Sequence, residues 1–203
     1  MLSIRKILQA LYYIQSRTPD SNYKAKYDIM YLLKMMFFAD RYHIRHFGFV
    51  ASGDTYVAMK YGPVGSATKD ILYKQMPRQA NPVEMSLLDG VSVVSENDVE
   101  IAKQDDDELS KSFIQSLDFA LKTYGDRNQF TLSDITHDYP EWKKHETAIN
   151  SGTKSIPMDF KDFFDNPETL KYSKKQGIEI DPFVDDKDFL QALKDDFSGQ
   201  SSC

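Results

Sequence analysis

The chain has 203 residues, of which 41% are hydrophobic and 13% aromatic, so it is long and apolar enough to form a packed core. Its net charge of −6 provides no global basic field, which argues against nucleic acid as a partner. Two cations near the start are not followed by the apolar region of a signal peptide, and the single cysteine, Cys203, cannot form an internal disulfide. These features predict a soluble cytoplasmic protein.

Two helices are predicted at the start of the chain. Apolar residues recur with helical spacing over residues 4–14, which indicates an amphipathic helix. The next helix is expected to run from about residue 29 to 47 and to end at Gly48. Its first 11 residues carry only one charge, Lys34, so this helix is expected at the centre of the domain. Such a stretch is too short for a membrane span, which needs about 20 apolar residues.

A strand is predicted beside this central helix. Gly53-Asp54 is a turn signal, and residues 55–61 are rich in β-forming side chains. Gly62-Pro63 is expected to end the strand and to start a short helix, which Ser66 caps and which runs to about Met76.

The following region predicts a loop and then a β-hairpin. Residues 77–89 contain two prolines and read as the loop. Valine and isoleucine alternate with polar residues over 91–93 and 99–101, on either side of a polar turn. The acidic run at 105–108 is expected to be a solvated loop.

Three further helices are expected before residue 150. Ser110 caps the first, which ends at Gly125. The capping box Thr131–Asp134 opens the second, and Pro140 begins a turn that contains the single tryptophan, Trp142.

The last part of the chain is acidic. Residues 157–203 carry 11 Asp and Glu against 6 Lys, whereas the first 156 residues have a net charge of only −1. Apolar spacing still predicts two amphipathic helices there. The predicted fold is α+β and mostly α-helical. A single globular domain of about seven to nine helices with a small antiparallel sheet or hairpin spans residues 1–165, and an acidic helical extension spans 166–203.

The sequence offers little for catalysis. There is no G-x-S-x-G elbow and no glycine-rich phosphate-binding loop, and Cys203 is terminal. Asp40 and His43 are one helical turn apart and, with Asp54, leave open a metal-dependent enzyme as an alternative. A structural role near a helix end is the simpler interpretation of the histidine. No cofactor is predicted.

Two candidate binding surfaces stand out. Cations and aromatic residues at the end of the central helix form a patch that suits phosphates or an acidic protein segment, including the chain's own acidic extension; its members are Lys34, Arg41, Tyr42, His43, Arg45, His46 and Phe47. The negative net charge favours the protein alternatives. Tyrosine and methionine, which are common at interfaces, characterise the second surface: Met35, Met36, Tyr56, Met59, Tyr61 and Pro63.

A set of motifs occurs in a fixed order along the chain. Phe38-Ala39-Asp40 ends a leucine-rich helix, and G-x-x-Y-x-A-x-x-Y-G-P-V runs from Gly53 to Val64. Leu109-Ser110 and Tyr124-Gly125 then bracket a long helix, and L-S-D-I-T-H and P-E-W follow. Over about residues 4–165 the chain thereby resembles the Panacea domain family, the SocA-like and GepA-like antitoxins of bacteria and phages.

The resemblance implies an antitoxin that binds and neutralises a cognate protein toxin encoded by a neighbouring gene, in a bacterium or prophage and with a role in phage defence. An adaptor that delivers its partner to a cellular protease is the alternative that the same resemblance implies. The residues predicted to bind the partner are Arg41, Arg45, Asp54, Tyr56, Lys60, Tyr61, Pro63 and Trp142. Neither a membrane nor nucleic acid is expected as a partner.

Overall fold

The structure, a computed structural model, describes residues 2–22, 24–104, 108–179, 181–183 and 187–200. Most of the predicted acidic loop, residues 105–107, lies outside the described residues, as does Cys203. Among the described residues, none of the helices combines the length and apolar character that crossing a bilayer requires.

The central helix is present as predicted. Helix α1 (Ile4–Arg17) leads to α2 (Ile29–Phe47), whose first turn is capped by the Asp28 carboxylate and which ends at Gly48 with a φ of 80°. Apolar side chains on every side of α2 are buried, because it is surrounded by α1, α3 (Ser66–Leu72), α4 (Lys111–Tyr124) and α5 (Gln129–Thr136). The apolar composition of its first three turns therefore predicted its position in the core correctly.

The sheet beside α2 is antiparallel with the strand order β2-β1-β5. Its strands are β1 (Tyr56–Met59), β2 (Gly62–Gly65) and β5 (Ile156–Pro157). The expectation that Gly62-Pro63 starts a helix is wrong, because Pro63 lies in β2 opposite Ala58. Proline is tolerated there because β2 is an edge strand. Helix α3 (Ser66–Leu72) begins one strand later and is shorter than predicted.

The second hairpin is confirmed. Strands β3 (Val91–Val93) and β4 (Val99–Ile101) pair antiparallel, with Val93 opposite Val99. The loop predicted before them contains a 3₁₀ helix, Pro82–Gly90. On its other side β4 is covered by Gln15 of α1, whose amide donates to the Val99 carbonyl (2.8 Å) and accepts from the Ile101 N–H (2.9 Å).

The remaining helices follow the predicted order. Helix α4 (Lys111–Tyr124) is capped by Ser110 as expected. Helix α5 (Gln129–Thr136) starts earlier than the capping box suggested, because Asn128 provides the cap by accepting from two backbone N–H groups. Two short helices complete this part: α6 (Pro140–Lys143) and α7 (Glu146–Asn150).

The C-terminal part consists of a 3₁₀ turn (Phe160–Phe164), α8 (Lys171–Lys175) and α9 (Lys187–Gln200). It packs on the rest of the fold: Phe183 is fully buried among the rings of the core. The predicted fold class, mostly α-helical α+β with a small antiparallel sheet, is confirmed.

Candidate partner-binding site

The β1–β2 hairpin projects a two-residue tip, Lys60-Tyr61, from the domain surface. Both side chains are exposed, and the Lys60 ammonium lies 5.5 Å from the centre of the Tyr61 ring. Gly62 follows with a φ of 96°, a left-handed conformation that suits glycine after such a tight turn. The tip is therefore the exposed part of the Gly53–Val64 motif segment.

Three side chains from three helices bind backbone carbonyls at the base of this tip. The Trp142 indole donates to the Met59 carbonyl (2.8 Å), and the Ser133 hydroxyl donates to the Tyr61 carbonyl (2.9 Å). The Lys34 ammonium donates to the Pro63 carbonyl (2.7 Å). We call Lys34, Ser133 and Trp142 the hairpin mount. Because the mount holds the backbone on both sides of the turn, it fixes where the tip points.

Lys34 is an unusual member of the mount because it is buried. Only 1% of its surface is exposed, and burial lowers the pKa of its ammonium from 10.5 to about 7. There is also no room at the turn for a larger residue: a Cβ added to Gly62 would lie 2.9 Å from the Lys34 nitrogen. From the sequence, Lys34 was assigned to a basic patch that could bind a partner. That assignment is wrong, because the side chain is buried.

The opposite end of the hairpin is fixed by two buried carboxylates. Asp40 accepts from the Ser52 N–H (3.0 Å) and hydroxyl (2.5 Å) and from the Tyr56 hydroxyl (2.7 Å). Burial raises its pKa to about 6, against the opposing effect of these hydrogen bonds. Asp40 thereby ties α2 to the loop before β1 and to β1 itself.

Asp54 caps α3 from outside the helix. Its carboxylate accepts from the Ala67 N–H, the Thr68 N–H and the Thr68 hydroxyl, at 2.7–2.8 Å. Burial raises the pKa of Asp54 in spite of these bonds. Gly65 is required beside it, since a Cβ there would lie 2.5 Å from a carboxylate oxygen of Asp54.

The two arginines predicted to face a partner are inside the protein. Arg41 forms a fully buried ion pair with Glu141 (2.7 Å), and its guanidinium lies 4.1 Å from the centre of the Tyr139 ring. Arg45 donates to the carbonyls of Phe163 and Phe183. Arg41 also donates to the Asp165 carbonyl (3.1 Å), so both arginines attach α2 to the C-terminal part of the chain through main-chain carbonyls.

Six of the eight predicted partner-binding residues are thus buried, and in this conformation they offer no side-chain surface to a partner: Arg41, Arg45, Asp54, Tyr56, Pro63 and Trp142. Arg41 and Arg45 were predicted to be exposed because they lie next to aromatic residues in the sequence. The groups that accept their hydrogen bonds inside the protein lie about a hundred residues farther along the chain, so the local sequence pattern could not reveal them. Lys60 and Tyr61 are the two that remain accessible.

The residues considered for metal-dependent catalysis are engaged in internal hydrogen bonds. His43 contacts the Phe49 carbonyl (2.8 Å) through one ring nitrogen and the Ser112 hydroxyl (3.0 Å) through the other. Asp40 and Asp54 hold the bonds described above. Within the described ranges, no group of three or more His, Cys, Asp or Glu side chains is arranged to hold a metal ion.

Sequence reasoning overlooked Ser133 and Glu141. The burial of Glu141 had one signal in the sequence, since this residue lies between Pro140 and Trp142 and follows an aromatic residue, Tyr139. Ser133 had no such signal, because its role depends on where the hairpin tip packs.

Comparison with known families identifies the domain. Residues 32–143 match the family described as antitoxin SocA-like, Panacea domain. The matched segment runs from α2 to the end of α6 and so contains the hairpin, its mount and both buried carboxylates. No curated protein and no solved structure matches the chain. Because the match covers more than half of the 203 residues, the chain belongs to the SocA-like antitoxin family with the Panacea domain.

Proposed function

We propose that the chain is an antitoxin that binds a cognate protein toxin directly and neutralises it. The observation that carries this proposal is the family match over residues 32–143. The toxin is expected to be encoded beside this gene, as the family resemblance implies. Direct binding, rather than catalysis, is consistent with the internal hydrogen bonds that occupy Asp40, His43 and Asp54.

The hairpin tip is the contact that we assign to the toxin within the matched segment. Tyr61 exposes 58% of its surface although its backbone is held on both sides by the mount. A rigid, exposed tyrosine provides a large contact area at little cost in conformational entropy, and tyrosine is enriched among residues that dominate binding energy. Lys60 adds a cation at the same place.

The buried members of the predicted set support this contact indirectly. Trp142 holds the tip by donating to the Met59 carbonyl, and Pro63 holds it by accepting from Lys34. Asp54 and Tyr56 hold the base of the hairpin through their bonds to Thr68 and Asp40. They are positioning residues in this proposal. Replacing Tyr56 by alanine would open the core, so Tyr56→Phe, which removes only the hydroxyl bonded to Asp40, is the informative change there.

Growth rescue with matched variants tests the tip. The chain is co-expressed with the product of the small neighbouring gene, in wild-type form, as Lys60→Ala/Tyr61→Ala, and as Tyr73→Ala. Tyr73 is the control because it is also an exposed tyrosine, at the end of α3. The tip variant is expected to keep its fold and to lose about tenfold in affinity, whereas Tyr73→Ala rescues growth normally.

Each outcome has a clear meaning for the proposal. Full rescue and unchanged affinity by the tip variant would remove the tip from the interface. Rescue that disappears in a host lacking cytosolic proteases would favour the adaptor alternative over direct neutralisation.

A further inference from the structure

The β3–β4 hairpin presents an apolar edge that the core does not cover. Val91, Val93, Val99 and Ile101 share one face of this hairpin, because residues two apart in a strand point the same way. Three of them are at most 3% exposed, but Val93 is 65% exposed. The apolar face of the hairpin therefore extends past the core at Val93.

The backbone of Val93 is also unpaired. Hydrogen bonds run from the Ala102 N–H to the Gly90 carbonyl and from the Val94 N–H to the Asp98 carbonyl. They determine which of the facing residue pairs exchange hydrogen bonds across the hairpin, and Val93 and Val99 form one of the pairs that do not. By the alternation of an antiparallel pair, the N–H and C=O of Val93 point away from β4. In the part of the chain that the structure describes, neither group has a hydrogen-bond partner, whereas Gln15 covers the corresponding edge of β4.

Further apolar side chains are exposed in the adjoining residues. Of the ten large apolar side chains that are exposed in the described ranges, four lie between residues 83 and 94: Val83, Met85, Val93 and Val94. Val94 also lines a groove of about 450 Å³ beside the hairpin turn, and the charged residues that line this groove are Lys24, Asp28 and Asp98. An exposed apolar edge of this kind marks an interaction site when it is not blunted by cations or proline.

The charge around this edge defines its partner. Residues 81–108 contain nine acidic residues against one lysine, a net charge of −8, so the rest of the chain has a net charge of +2. Asp89, Glu96 and Glu100 are exposed and form no ion pair with any described residue. A second copy of this chain would bring two such acidic surfaces together, whereas a cationic segment would be attracted.

We propose that the edge of β3 is the docking site for a cationic, apolar, extended segment of the partner protein, which adds a strand beside Val93. The identification of that partner as the cognate toxin rests on the proposed antitoxin function. Val93 provides both hydrogen-bonding groups and apolar contact to the added strand, and Asp89, Glu96 and Glu100 attract its cations. The acidic extension, residues 166–203, by contrast contains no strand among its described residues.

A defined peptide tests this site without knowledge of the toxin. The full chain is titrated with a labelled peptide of four Lys-Val repeats and, separately, with four Glu-Val repeats, and binding is followed by fluorescence anisotropy. The Lys-Val peptide is expected to bind, more weakly as salt is raised, and the Glu-Val peptide is not. Amide hydrogen exchange in the complex is expected to show new protection at Val93.

Matched variants separate the edge from the rest of the surface. Val93→Ser is compared with Phe130→Ser, since both side chains are 65% exposed. The first is expected to weaken binding of the Lys-Val peptide about fivefold and the second to leave it within about twofold. Circular dichroism verifies that both variants are folded, and Val93→Thr, which keeps the strand-forming shape, replaces Val93→Ser if that variant is not.

A second comparison separates the two acidic regions. Neutralising Asp89, Glu96 and Glu100 together is expected to weaken binding about tenfold at low salt. The control neutralises three exposed acidic residues of the C-terminal region, Glu168, Glu179 and Asp196, and is expected to have little effect.

Several results would overturn the proposal: no binding of the Lys-Val peptide, equal binding of the Glu-Val peptide, equal losses in test and control variants, or no protection at Val93. A dimer of the chain that Val93→Ser dissociates would show a second copy as the occupant instead. None of these results depends on growth rescue. Failure of rescue with normal peptide binding would count against the antitoxin function alone.

Discussion

The buried lysine of the hairpin mount makes the stability of the protein depend on pH in a defined way. The pKa of Lys34 is lowered from 10.5 to about 7 by burial. Between these pH values the unfolded chain binds more protons at this site than the folded chain, so the free energy of unfolding rises with pH. Burial of Lys34 lowers the free energy of unfolding by about 4 kcal/mol at pH 7 and by about 2 kcal/mol at pH 9, since one pKa unit corresponds to about 1.4 kcal/mol.

Lys34→Met is the perturbation that isolates this effect. The variant loses the bond to the Pro63 carbonyl, which costs about 1–3 kcal/mol for an unsatisfied buried group, but it also loses the larger penalty of burying an amine whose pKa is lowered. At pH 7 the variant is therefore expected to be more stable than the wild type, by about 2 kcal/mol. By pH 9 the two are expected to be about equally stable.

Urea unfolding followed by fluorescence of the single Trp142 measures both quantities. The wild-type free energy of unfolding is expected to rise by about 2 kcal/mol between pH 7 and 9, and that of Lys34→Met to stay flat. A wild-type protein without this rise, or a variant that keeps it, would refute the assignment to Lys34 of a pKa that burial lowers to about 7.

Three further predictions concern other contacts of the fold. Arg41→Ala or Glu141→Ala alone is expected to cost about 3–5 kcal/mol of stability, because each leaves a buried partner unpaired. The double variant Arg41→Met/Glu141→Leu is expected to cost less than either single change, and a loss equal to the sum of the two single losses would argue against this pair. Gly65→Ala is expected to lower the melting temperature, with a loss of about 1–3 kcal/mol, because the new Cβ meets Asp54; unchanged stability would contradict the tight packing. Gln15→Ala is expected to cost about 1–3 kcal/mol and to speed hydrogen exchange in β4, because two backbone groups lose their partner; unaltered exchange would count against the bridge.

Periodicity predicted the main elements because their physical causes are local. The low charge of the first three turns of α2, the glycine at its end and the alternation in β3 and β4 are all visible in short windows of sequence. Pro63 was assigned incorrectly because proline suits both the first turn of a helix and an edge strand, and only the pairing with Ala58 distinguishes the two.

The candidate site was less predictable because it depends on contacts between distant parts of the chain. Arg41 and Arg45 look like surface cations until Glu141 and the carbonyl of Phe183 are brought beside them. The exposed edge at Val93 likewise follows from how far the core extends, and the alternation that placed this valine in a strand gave no indication that it is uncovered.

Direct neutralisation requires that the chain bind its toxin and restore growth without help from proteases, and co-purification from a protease-deficient host measures both. The chain is co-expressed there with the product of the neighbouring gene, growth is scored, and the tagged chain is purified. We predict restored growth and a stable complex that survives gel filtration. Restored growth only where the proteases are present, with no complex in their absence, would contradict direct neutralisation.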